Sequence, residues 1–105
     1  MKLYKRQGDV LIFKVDKIAL SLKEKNSVII AEGEVTGHRH ILVADKPETK
    51  IKIADDGRGF YLEILNDTAT IKHEQHSPIT LKPGRFFIRI QREYDPIVYQ
   101  RKVKD

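Results

Sequence analysis

The chain has 105 residues, of which 40% are hydrophobic and 33% charged, which predicts one globular domain over residues 1–105 with a heavily charged surface. Its 20 lysines and arginines against 15 acidic residues give a formal charge of +5, an excess that admits an acidic partner such as nucleic acid without requiring one. There is no cysteine, so disulfides and thiolate metal sites are excluded and any metal must rest on nitrogen and oxygen donors. That usage fits a cytoplasmic location. Met1 to Gly8 holds no apolar signal-peptide core, and no apolar run is long enough to span a membrane.

Period-two alternation dominates the chain. Val10 to Val15 is a nearly continuous apolar run, the pattern of a strand buried on both faces. Asp16 to Lys25, with Ile18, Leu20 and Leu22 among lysines, reads as a short helix or an irregular connection. Val28 to Ala31 and Ile41 to Ala44 are further short strands, and Ile51 and Ile53 alternate with Lys50 and Lys52. Asp55-Asp56-Gly57-Arg58-Gly59 is a turn signal before Phe60 to Leu65, and Asn66-Asp67 separates that run from Thr68 to His73. Ile79 to Leu81, Lys82-Pro83-Gly84 and Arg85 to Gln91 predict a hairpin. In its second strand Phe86, Ile88 and Ile90 share one face, and Arg85, Phe87, Arg89 and Gln91 the other. Pro96 to Asp105 reads as an edge strand or a short helix. The sum is an all-β fold, a small barrel or sandwich of about eight short strands with at most one or two short helices.

All four histidines fall in two tight clusters, His38 and His40 in Gly-His-Arg-His and His73 and His76 in His-Glu-Gln-His. On a strand His38 and His40 share a face with Leu42 and Ala44, while Arg39 points away. His73 continues the interior face of Ala69 and Ile71. His76 joins it only if the chain bends at Glu74-Gln75, or if residues 73–76 form one helical turn. Histidine is the commonest metal ligand and the side chain most easily poised for proton transfer near neutral pH. A shared site of His38, His40, His73 and His76 suits zinc, iron, nickel, copper or manganese, with Glu34, Asp45 and Glu74 as candidate carboxylate ligands. A metal-free alternative uses two histidines as acid and base on an RNA 2′-hydroxyl, with Arg39, Lys72 or Arg92 stabilising the developing charge. Gln91 to Pro96 is the other polar concentration. Its plain reading is a strand end and turn. Its functional reading makes Arg92 an anion binder and Tyr94 a hydrogen-bond donor or stacking platform.

The pattern Gly33-Glu34-Val35-Thr36-Gly37-His38-Arg39-His40, then His73-x-x-His76-x-Pro78, Pro83-Gly84 and Gln91-Arg92-Glu93-Tyr94, resembles a family of short prokaryotic and phage-type proteins of unassigned function. The resemblance covers most of the chain and implies no activity. A more distant likeness is to cupins, small β-barrels with a metal in the mouth, carried by the glycine-led His-x-His and the Pro-Gly turn before a late strand. The usual cupin glutamate after the first pair is missing, Asp45 being the nearest acid, and Phe86 and Phe87 stand where a histidine follows the late turn. Three functional classes follow: a histidine-cluster metal site, a metal-independent RNA-cleaving enzyme, and a non-catalytic nucleic-acid or protein interaction module. The partner is a small molecule or a nucleic acid, and a dimer is compatible with the sequence.

Overall fold

The computed structural model describes residues 2–32 and 39–91, with side chains throughout except at 31 and 32. Ten strands run through these residues and no helix. They are β1 (Lys2–Gln7), β2 (Val10–Lys14), β3 (Lys23–Lys25), β4 (Ser27–Glu32), β5 (Arg39–Ala44), β6 (Lys50–Asp55), β7 (Phe60–Leu65), β8 (Ala69–Lys72), β9 (Ile79–Leu81) and β10 (Gly84–Ile90). A six-stranded sheet has the order β1-β2-β10-β7-β6-β3, and a four-stranded sheet the order β4-β5-β8-β9. Every pairing is antiparallel. No described strand belongs to both sheets, so the architecture is a sandwich rather than a closed barrel. The stretch expected as a helix or irregular connection, Asp16 to Lys25, is irregular and ends in β3. The tail from Pro96 lies outside the described residues.

The alternating apolar residues explain why the sheets stack. Val10, Ile12, Ile51, Leu62, Ile64, Phe86 and Ile88 project from the six-stranded sheet onto Ile30, Leu42, Ala69, Ile71 and Leu81 of the other. Fully burying such side chains is worth about 1.5–3 kcal/mol each. β2 is buried on both faces, as its unbroken apolar run predicts. Leu11 and Phe13 lie on its outer face, where they cluster with Phe87, Leu3, Val15 and Tyr61. The Arg89 guanidinium lies 5.2 Å from the centre of the Phe13 ring.

The predicted hairpin across Lys82-Pro83-Gly84 does not form. β9 pairs with β8 in one sheet, while β10 pairs with β2 and β7 in the other. Two apolar strands that each need a different layer are joined by a crossing, and Pro83 suits it because it offers no backbone donor. The turn expected at Asp55 to Gly59 does form, and it joins β6 and β7 as a hairpin. Gly57 has φ +86°, its N–H donates to Asp55 Oδ1 at 2.7 Å, and Asp56 Oδ1 accepts from the N–H groups of Arg58 and Gly59.

Truncation should separate core from surface. Leu62→Ala, at a fully buried position, should lose about 2–5 kcal/mol in urea unfolding. Leu20→Ala, at a residue 42% exposed, should change stability by less than about 0.5 kcal/mol.

Candidate histidine site

His40 stands on the inner face of β5 with Leu42 and Ala44, as the alternation predicts, and is 9% exposed. β8 ends at Lys72, and the chain then bends through residues 74–76 before reaching Pro78. That bend, and not the single helical turn that the sequence also allowed, returns His76 to the cluster. The ring centres of His40 and His73 are 4.2 Å apart, those of His73 and His76 4.7 Å, and those of His40 and His76 6.0 Å. The planes of His40 and His76 are within 17° of parallel and those of His40 and His73 within 28°. His38, the fourth histidine, lies outside the described residues, as do Glu34, Arg92 and Tyr94.

The residue that organises the cluster is Gln7, the last of β1, which is 3% exposed. Its Nε2 donates to the carbonyls of Ile71 at 3.0 Å and Ser77 at 2.8 Å. Both amide hydrogens are thereby used, and Oε1 is left to face His40 Nδ1 at 2.8 Å. An amide oxygen only accepts, so His40 Nδ1 carries the proton and the neutral ring presents a lone pair at Nε2. His73 has the opposite arrangement, because its Nδ1 accepts from the Gln75 N–H at 3.1 Å. Neutral His73 therefore carries its proton on Nε2.

Burial, followed by repulsion from His73 and then His76, pushes the His40 pKa below the ordinary histidine value, and Asp9 partly offsets this. Asp9 belongs to the two-residue β1–β2 turn with Gly8. Gly8 has φ +56°, and a Cβ there would sit 2.7 Å from His76 Nε2, so glycine is required both by the turn and by the ring packed on it. The turn is held to the end of β10 by the Gln91 N–H donating to the Asp9 carbonyl at 2.6 Å and by Arg6 binding the Gln91 side chain.

Among the proposed carboxylate ligands, Asp45 is placed elsewhere. It lies at the other end of β5, five residues or about 16 Å along the strand from His40. There it accepts from Thr68 and Thr70, and those bonds hold its carboxyl below the usual range. Glu74 and His73, with Arg39, Ile41 and Lys72, line a shallow depression of about 580 Å³. His73 thus touches both the buried His40 and an open, cation-rimmed surface. Among the described residues no three histidine, aspartate or glutamate side chains are arranged as they stand to hold an ion. Gln7, Gly8 and Asp9 were not singled out from the sequence. The signal present was a polar-Gly-Asp turn just before the first apolar strand.

Fold and site together define an antiparallel β-sandwich with an imidazole cluster, buried at His40 and open to solvent at His76, where a hairpin of one sheet meets the other. Residues 6–91 match a family described as Domain of unknown function (DUF8820), and the chain belongs to it. No curated protein and no solved structure matches the chain.

Two outcomes follow. Gln7→Leu keeps the size of the side chain but strands two carbonyls and His40 Nδ1, so it should cost about 1–3 kcal/mol in urea unfolding. Because the folded-state pKa of His40 is lowered, the unfolded chain takes up the proton first. Stability should be full above about pH 6.5 and fall as pH drops from there towards the lowered folded value. Unfolding at pH 7.5 and pH 5.5 should show this loss, and His40→Gln should reduce it.

Proposed function

We propose that His40, His73 and His76 form a binding site for a divalent transition metal, with zinc, iron, nickel and manganese as the candidate ions. The observation that carries the reading is the anchoring of Gln7. A side chain that fixes a buried histidine with Nδ1 protonated leaves Nε2 as a donor, which is how outer-sphere partners commonly prepare metal-ligating histidines. The spacing is also suitable. Imidazoles bound at about 2.0–2.1 Å around one tetrahedral ion have ring centres about 5 Å apart. The three separations here, 4.2, 4.7 and 6.0 Å, bracket that value. The near-parallel rings must rotate for their nitrogens to converge, and His73 must exchange its bond from Gln75 for the ion. Arg39, which lines the same open depression as His73, would hold an anionic substrate in this reading. The distant cupin likeness adds only that histidines on a β-scaffold can serve as donors.

One observation favours a second reading, metal-free acid/base chemistry such as cleavage at an RNA 2′-hydroxyl. The opposite tautomers of His40 and His73 supply a base nitrogen and an acid N–H side by side. Calorimetric titration of untagged protein with zinc, nickel and manganese separates the two. The metal reading predicts saturable one-to-one binding that weakens at least about tenfold in His73→Ala and in His76→Ala, each loss corresponding to about 1.4 kcal/mol or more. No heat of binding for any of the three ions, with RNA cleavage persisting in a chelator, would replace it by the acid/base reading.

A further inference from the structure

A second site lies at the opposite edge of the six-stranded sheet from β1, and its argument does not depend on the histidine reading. There β3 ends one sheet and β4 ends the other, and only Asn26 separates them in the chain. A groove of about 740 Å³ opens along this seam, with Leu20, Val28, Ile29, Ile53 and Phe60 on its walls. Leu20 and Ile29 are 42% and 47% exposed, so two of the large apolar side chains left open to solvent converge on one groove. Its volume is within the range of small-molecule sites, about 300–1,000 Å³.

The rim supplies the polar end. Lys23 and Lys25 are two apart on β3, share a strand face and both line the groove. Neither is in an ion pair among the described residues. The one acid on the lining, Asp55, already accepts from the Gly57 N–H at 2.7 Å. Apolar walls below two uncommitted ammonium groups are complementary to a molecule with an apolar body and a negative head. A second copy of the chain would bring the same lysines against these. A peptide strand would add to the free backbone edge of β3 or β4 and leave the space between the sheets unfilled.

We propose that this seam binds a small amphipathic carboxylate, its apolar body between Val28, Ile29, Ile53 and Phe60 and its carboxylate on Lys23 and Lys25. The test uses the full chain and decanoate below its aggregation concentration, followed by amide chemical shifts and calorimetry. The expected result is one saturable site, with shifts concentrated at Val28, Ile29, Ile53 and Ala54. Binding should be about tenfold weaker or more in Lys23→Glu/Lys25→Glu, and similarly weaker for decanol. Ile29→Glu, at a position already open to solvent, should abolish it and serves if the double variant does not fold. Several results would overturn the proposal. These are no groove shifts at millimolar decanoate, equal binding of decanol and decanoate with no effect of the lysine changes, or shifts centred on Gln7 and Ser77. Preference for an acidic peptide, with new shifts along the β3 or β4 backbone edge, would also overturn it.

Discussion

The histidine cluster depends on one side chain reaching between the sheets. Gln7 ends β1, the edge strand of the six-stranded sheet, yet its amide meets Ile71 of β8, Ser77 of the following bend and His40 of β5. A buried primary amide with every hydrogen used has one orientation, and that orientation assigns the proton on His40. The three contacts also bring together segments far apart in sequence, so His76 reaches its neighbours through a bend fixed at both ends. Loss of any partner would leave a polar group unmatched in the interior, which is expensive relative to what one hydrogen bond contributes. Gly8 works with it. By lacking a Cβ it lets the β1–β2 turn close directly beneath His76.

The inner strands were legible in the sequence because alternation is imposed by burial. Ile51, Ile53, Leu62, Ile64, Phe86 and Ile88 face the core where their spacing places them. The two strands missing from the expected count of about eight are β1 and β3, whose sequences Lys-Leu-Tyr-Lys-Arg-Gln and Lys-Glu-Lys show no apolar alternation. Both are edges. A strand that meets solvent along one side needs little apolar content, and lysines there discourage a further strand from adding. The hairpin at Pro83-Gly84 failed for a related reason. Local turn chemistry says that the chain reverses, but not which of two sheets receives the next strand.

The site was legible in part. Strand alternation put His40 inside, and a bend at Glu74-Gln75 was one of the two ways, beside a helical turn, in which His76 could join His73 and His40. Asp45 was judged by its closeness in sequence to His40, whereas an extended strand carries it to the other end of the sheet, among Thr68 and Thr70. Gln7 could not be read, because nothing local distinguishes a glutamine at the end of a charged edge strand from an exposed one. Its role arises only when the second sheet closes over it.

The central claim is that Gln7 dictates the protonated nitrogen of His40. Long-range ¹H–¹⁵N correlation spectra of the imidazole rings at pH 7.5 read this directly. The account predicts a neutral His40 with its proton on Nδ1 and an unprotonated Nε2. A neutral His40 protonated at Nε2, or a ring exchanging freely between the two tautomers, would contradict it.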